Sequence, residues 1–274
     1  RLISRLGESM IQKDLHARFR FASLNELRET IDALGLSIAL EEDTSFLTKP
    51  LTVAGRVIPN SMAVHPMEGA DGTPGGAPDT LTFRRYKRFA AGGAGLLWVE
   101  ACAVVPEGRA NPRQLMLTGG NKDSYARLLE ESLQAARESM GPDHRPFMVL
   151  QLTNSGRYSR PVDAPKPIIA FHDPILDKDK GLPPDYPLIT DDELERLEDA
   201  YVESAKIAFE LGFDAVDIKA CHRYLVNELL AGHTREGKYG GSYENRTRFL
   251  KNVVGKVMAI AGDKIVTCRL GIHD

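Results

Sequence analysis

The sequence predicts an α/β fold built on a parallel sheet, and three observations carry that expectation. From Leu51 onward, apolar runs of strand length alternate with amphipathic helical patterns; no run reads as a return strand; and titratable residues crowd the positions where several runs end. Chemistry at the carboxyl ends of parallel strands is the common arrangement in such folds. Alternation alone leaves a barrel and a doubly wound sheet equally open.

Taken in order, residues 1–48 carry two helical patterns, over residues 6–19 and 23–34. Ser23 and Glu26 stand in capping-box spacing, and Gly35 marks the stop. These residues read as an amino-terminal helical extension, with His16 a surface residue, and residues 49–274 as the main domain. There, a first strand is expected over residues 58–67, then a helix over 79–91 stopped by Gly92 and Gly93. A second strand spans 96–102, a helix 124–140 ends at Gly141-Pro142, and a third strand spans 147–152. The next helix begins at Thr190 with Glu193 in a capping box and closes at Gly212. Residues 214–221 are the fourth strand and 265–270 the fifth. Tyr239-Gly240-Gly241-Ser242 is a glycine turn in which Ser242 is placed to cap the helix that follows.

Composition narrows the function. With 274 residues, 42% of them hydrophobic, the chain can bury a sizeable core, and a net charge of -3 offers no basic field for nucleic acid or an anionic membrane. A small-molecule substrate is therefore expected. Cys102, Cys221 and Cys268 lack metal or disulfide spacing, so no metal site and a reducing, cytoplasmic setting are expected. The most apolar window, residues 95–105, is interrupted by Glu100, so no spanning segment is expected. The first residue is Arg1 rather than methionine and only five strands are counted, from which an incomplete chain is expected.

The most specific stretch is Tyr239-Gly240-Gly241-Ser242-Tyr243-Glu244-Asn245-Arg246-Thr247-Arg248-Phe249, downstream of a strand that ends in Lys219, His222 and Tyr224. It resembles the Tyr-Gly-Gly-Ser-x-Glu-Asn-Arg-x-Arg-Phe motif of the old yellow enzyme family of FMN-dependent oxidoreductases. Four further segments resemble that family: Ala63-Val64-His65-Pro66-Met67, Gly93-Ala94-Gly95-Leu96-Leu97-Trp98-Val99-Glu100-Ala101, Gln151-Leu152-Thr153-Asn154-Ser155-Gly156-Arg157, and Thr267-Cys268-Arg269-Leu270. Tyr158, after Gly156-Arg157, matches the 2,4-dienoyl-CoA reductase-like branch. Departures are Lys219 for the usual histidine, Arg223 for glycine, Asn154 for histidine and Glu68 for threonine or glycine.

The resemblance implies a TIM-type (β/α)8 barrel of which about five strands are present. It implies FMN as cofactor, NAD(P)H as reductant and an activated alkene, enone or enoyl thioester, as substrate; any iron–sulfur cluster would belong to a region beyond this chain. Pro66, Met67 and Glu68 would border the flavin, Ala94 would let the ring approach the backbone, and Gln151 would bond its pyrimidine edge. Arg269 would stabilise the anionic reduced flavin. Lys219, counted among the cofactor contacts too, would with His222 hold the substrate's carbonyl oxygen, and Tyr158 or Tyr224 would supply the proton. Tyr158 is preferred, because the changes at Lys219 and Arg223 make the Tyr224 turn less like the branch that uses it.

Plainer roles stand beside these. Lys219 could pair with Asp217 or Glu100, His222 could simply start a helix, Arg269 could pair with Asp217, and either tyrosine could fill space. Glu100 and Trp98 are expected to be structural, as a buried hydrogen-bond partner and a core residue. A flavin-free barrel enzyme acting on a phosphorylated small molecule, or a non-catalytic truncated relative, remain the rival functions; the sequence does not determine an oligomeric state.

Overall fold

The computed structural model of the protein describes residues 19–271. The helical pattern over residues 6–19 therefore lies, apart from Phe19, outside the described residues, as does His16. Two compact units divide the chain between Thr44 and Ser45. In the first, helix α1 (Leu24–Ala33) buries Ile31, and its N-terminus is capped by Ser23, whose Oγ accepts the Glu26 amide at 3.2 Å. The Glu26 carboxylate closes the turn by accepting the Ala22 amide at 2.8 Å.

The second unit opens with an antiparallel hairpin, β1 (Leu51–Val53) and β2 (Arg56–Ile58), turned at Ala54-Gly55 with φ of 48° and 76°. The single strand expected over residues 58–67 is thus divided, and the parallel part, β3, is only Ala63–Val64. Pro59 has no amide to extend a ladder. Asn60 then turns its side chain into the fold, donating to the Gly93 carbonyl at 2.7 Å and accepting from Gly95 and Met62.

From there strand and helix alternate. They run α2 (Thr80–Ala91), β4 (Leu96–Ala103), α3 (Lys122–Met140), β5 (Phe147–Thr153), α4 (Pro174–Lys180), α5 (Asp191–Leu211), β6 (Ala215–Ala220), α6 (Leu225–Leu230), α7 (Tyr243–Ala261) and β7 (Ile265–Leu270). The five strands β3 to β7 pair in sequence order and all in parallel. The caps read from sequence are present: Thr190 and Glu193 bond reciprocally, and Ser242 Oγ accepts the Asn245 amide. Helix α4, inside the proline-rich stretch before α5, was not expected.

Each strand splits its side chains between two faces. Leu97, Val99, Met148, Leu150, Leu152, Val216 and Ile218 enter the main core with Tyr86, Leu128, Tyr201 and Phe249 from the helices. The other face begins with an apolar cluster of Phe147, Val149 and Ala215 against Leu96, Trp98 and Ile265, where Trp98, expected in the core, is half-buried. Further along the same face, by alternation, stand Gln151, Asp217, Lys219, Thr267 and Arg269. One face therefore changes from apolar to polar toward the strands' carboxyl ends, which is where an α/β barrel carries its chemistry.

Candidate active site at the carboxyl ends of the strands

Lys219, on β6, has a side chain only 3% exposed, and its Nζ donates to Glu68 Oε1 at 2.7 Å. Glu68 follows β3, and β4 and β5 lie between β3 and β6 in the sheet. Three strand spacings across a flat sheet amount to about 14 Å. Two side chains close that span only because the sheet curves, as a barrel wall does. The Tyr224 hydroxyl donates to the same carboxylate at 3.2 Å, and the Lys219 ammonium lies 3.8 Å from the centre of the Tyr224 ring. Burial, then the Glu68 charge and hydrogen bond, push the Tyr224 phenol well above its ordinary value.

This arrangement replaces the plainer alternative for Lys219 and adds a role for Glu68. Lys219 pairs with neither Asp217 nor Glu100, and Glu68 is the ion-pair partner of a buried cation in addition to any place it has beside a cofactor. Glu100 sits where β4 shifts register between Val99 and Cys102, and that irregularity lets it meet α2. It binds Arg85 at 2.6 Å and accepts the Gly69 amide at 2.7 Å, which is the structural role expected of it.

Asp217, fully buried, accepts from Gln151 Nε2 at 2.6 Å and Thr267 Oγ1 at 2.9 Å. Burial raises its carboxyl above the usual range, and these two hydrogen bonds pull it back only in part. One N–H of the Gln151 amide is thereby committed, and its Oε1, buried and without a partner, is left to accept from a ligand. Arg269, for which pairing with Asp217 was the plainer alternative to a cofactor contact, makes no side-chain hydrogen bond or ion pair among the described residues; its charge and its backbone amide both lower the Asp217 carboxyl.

Tyr158 is carried in by the short 3-10 turn Gly156–Tyr158. Gly156 has φ +56°, and a Cβ there would lie 2.7 Å from the Leu225 amide nitrogen, so only glycine lets this turn press on the start of α6. That packing sets the Tyr158 and Tyr224 rings 5.9 Å apart. Asn154, buried, accepts the Gly156 amide at 2.9 Å and so holds the turn. The Tyr158 hydroxyl has no hydrogen-bond partner among the described residues, and Lys180 lies 4.3 Å from its ring centre.

His222 and Arg223 form the turn between β6 and α6 with φ of 63° and 55°. Both line an open pocket of about 470 Å³ with Tyr158 and Arg269. Burial and the charges of Lys219 and Arg269 push the His222 imidazole below its ordinary value. A second cavity, of about 520 Å³, lies against α5; its charged residues, Glu107, Lys166, Glu193 and Arg196, are exposed and of both signs. It contains neither Tyr158 nor Arg269, both of which line the strand-end pocket, so the chemistry belongs to the latter.

Pro66 and Met67 follow β3 at its carboxyl end, the first buried and the second 69% exposed. Ala94 is not part of the constellation. It precedes β4 and packs in the core at the opposite end of the strand, about 30 Å of extended chain from Ala103. The run of small residues that suggested close cofactor approach belongs instead to the turn gripped by Asn60.

The largest omission is Arg157. Fully buried, it binds Asp177 of α4 and Glu228 of α6 and donates to the Phe171 carbonyl at 2.8 Å, tying the proline-rich loop to the turn that bears Tyr158. Burial raises the Glu228 carboxyl to about 7, with Arg157 opposing it. The Gly-Arg-Tyr motif marked this arginine, but its partners lie 20 and 71 positions away and no spacing links them.

Curved parallel strands, helices on one face and a titratable cluster at the carboxyl ends define a segment of an α/β barrel enzyme. The profile of the NADH:flavin oxidoreductase / NADH oxidase family matches residues 46–274, and the chain belongs to that family. It is 30% identical to the NADPH dehydrogenase of Halalkalibacterium halodurans over 219 residues, covering 79% of this chain and 59% of the relative. The NADPH dehydrogenase of Bacillus subtilis is 28% identical over 225 residues, 79% of this chain and 60% of the relative. Among solved structures, morphinone reductase in complex with tetrahydroNAD is similar at a TM-score of 0.67 and 26% identity, covering 82% of this chain and 63% of that one. The Old Yellow Enzyme of a Pichia species is similar at a TM-score of 0.65 and 25% identity, covering 82% and 59%. The parallel sheet is thus part of an old yellow enzyme barrel. The chain spans about three fifths of the length of the curated relatives it matches. No helix among the described residues is long and apolar enough to cross a membrane, and among them no group of three or more His, Cys, Asp or Glu could hold a metal ion.

Proposed function

We propose that this chain carries the flavin edge and the substrate pocket of an FMN-dependent oxidoreductase that takes hydride from NAD(P)H and reduces an activated alkene. One observation carries the reading: the buried Oε1 of Gln151, fixed by Asp217, on a sheet face that also carries Arg269, the two side-chain groups having no partner among the described residues. An acceptor beside a cation fits the pyrimidine edge of an isoalloxazine, which offers an N–H and gains negative charge on reduction. Gln151 and Arg269 would hold that edge, with Pro66 and Met67 bordering it. Bound there, FMN would supply two-electron hydride chemistry.

The chain's own residues do the remaining work. Lys219 holds Glu68, and Glu68 accepts the Tyr224 hydroxyl proton in a hydrogen bond, so this phenol is turned toward a carboxylate. Tyr158 keeps its hydroxyl free at the pocket, which supports it as the proton donor to the alkene carbon. His222, with its imidazole held neutral, can donate to a substrate oxygen. Lys219 then acts by holding Glu68 and, through it, orienting Tyr224, rather than by touching the carbonyl. The test is stopped-flow kinetics of the full-length protein: Tyr158→Phe should slow alkene reduction by about 100-fold or more while quinone reduction, which needs no proton on carbon, stays within about twofold. Native alkene rates in Tyr158→Phe with loss in Tyr224→Phe would reverse the assignment.

A further inference from the structure

Arg223 borders a second cavity besides the strand-end pocket, and the two are chemically unlike. This one is a niche of about 290 Å³ bounded by the start of α4 and the end of α6. Its walls are the apolar side chains of Phe171, Ile175, Leu176 and Ala231, and its charged lining residues are Arg223, Asp173 and Glu228. Small cavities of this make-up, mostly apolar with a few convergent polar groups, are where proteins hold small molecules.

The three charged groups are partly or wholly unspent. Glu228 is 5% exposed; its Oε1 accepts from Arg157 and from the Ala170 amide, whereas its Oε2 has no partner. A buried carboxylate oxygen without a donor is uncommon, because its lost hydration goes unanswered. Arg157 is one cation shared by two carboxylates, Asp177 and Glu228, so the cluster behind the cavity keeps an unmatched negative charge; Asp177 meets His172 as well. Asp173 uses Oδ1 to cap α4, accepting the Ile175 and Leu176 amides at 2.9 Å each, and its Oδ2 makes no hydrogen bond among the described residues. The Arg223 guanidinium makes neither a hydrogen bond nor an ion pair among them, although both acids line the same niche. Its backbone is fixed, with φ at 55° and the amide donating to Asn227 Oδ1 at 2.9 Å. One cation and two carboxylates thus share a small apolar niche without closing on one another.

We propose that this niche is a binding site for a free α-amino acid with an apolar side chain. The inference goes beyond the oxidoreductase reading and does not depend on it. An α-ammonium group supplies the donor that Glu228 Oε2 lacks and the counter-charge that Asp173 lacks. The α-carboxylate takes two parallel N–H donors from the Arg223 fork. The side chain fills the wall of Phe171, Ile175, Leu176 and Ala231. A volume equal to about ten liquid waters suits a side chain of the size of leucine's. An apolar acid would add a negative charge beside Glu228 and Asp173 and satisfy neither, and an apolar amine would leave Arg223 unpaired; the zwitterion answers all three groups.

The test is calorimetric titration of the full-length protein with leucine, leucinamide and isocaproate, the second lacking the carboxylate and the third the ammonium group. Leucine should bind at least about tenfold more tightly than either analogue, a comparison that needs no variant. Arg223→Gln should weaken leucine by roughly 10- to 100-fold and shift leucinamide by less than about threefold. Asp173→Asn, which keeps an oxygen to cap α4, should weaken leucine and leucinamide together and leave isocaproate unchanged. Ala231→Phe, which fills the niche from a half-buried position, should abolish leucine binding. Isocaproate bound as tightly as leucine would overturn the ammonium contact, and leucinamide bound as tightly would overturn the Arg223 contact. Native leucine affinity in Ala231→Phe would overturn the location, and no heat from leucine at millimolar concentration would overturn the site altogether.

Discussion

Replacing Glu68 by glutamine removes the only carboxylate that the Lys219 ammonium contacts among the described residues. At 2.7 Å the pair's attraction is about 6 kcal/mol for an effective dielectric near 20. Desolvation of Lys219, whose side chain is 3% exposed, offsets part of this even in the native protein. Removing the partner leaves that desolvation uncompensated, which costs about 3–5 kcal/mol for a fully buried pair. Glu68 keeps 18% of its side chain in solvent, so the lower end, about 3 kcal/mol, is expected. For a unit of this size that lowers the melting temperature by roughly 6–12 °C. Lys219→Met should cost less, about 1 kcal/mol, because Glu68 retains the Tyr224 hydrogen bond and access to water. The double variant should be more stable than Glu68→Gln alone. Trp98, the chain's single tryptophan, packs on the sheet face beneath this pair, so its fluorescence reports denaturant unfolding of all four proteins. A loss under about 1 kcal/mol in Glu68→Gln, or strictly additive effects, would refute a buried, coupled ion pair.

Two further outcomes follow from the same geometry. Gly156→Ala combines a left-handed φ with a Cβ at 2.7 Å from backbone, so it should cost roughly 2–4 kcal/mol and slow alkene reduction by moving Tyr158; equal denaturation midpoints would contradict the close approach. The Glu228 carboxyl rises from 4.5 to about 7 on folding, so the folded state binds the extra proton; its contribution is complete below about pH 4.5 and is lost as pH climbs through 7. That contribution is on the order of 3 kcal/mol at most. Denaturation midpoints measured against pH should therefore fall more steeply over this window in the native protein than in Glu228→Gln, and parallel curves would remove the effect.

Periodicity, caps and glycine stops placed every strand of the sheet except the first, because they are written within a few neighbouring residues. Thr190 with Glu193, Gly212, and the polar end of β6 are all of this local kind. The β6 and β7 ends and the Gly-Arg-Tyr turn likewise put Lys219, Tyr224, Tyr158 and Arg269 near one another, as a parallel sheet requires. What the sequence concealed was pairing at long range. Glu68 lies 151 positions from Lys219 and Arg157 lies 71 from Glu228, and only the curvature of the sheet and the path of the proline-rich loop join them. Ala94 was misplaced because a run of small residues looks the same at either end of a strand. The first strand was expected from Ile58 straight through Pro59 and Asn60, where the structure turns the chain, and the hold that Asn60 takes on the Gly93 carbonyl is a long-range contact.

The central claim is that the polar end of this sheet face is a flavin edge made by Gln151 and Arg269. The measurement that meets it most directly is titration of the full-length, flavin-stripped protein with FMN, followed by potentiometry of the loaded native protein and of Arg269→Ala. One FMN per chain, with a lower flavin potential and weaker binding in the variant, is the predicted result. A protein that takes up no FMN, or a variant whose flavin potential equals that of the native protein, would contradict the account.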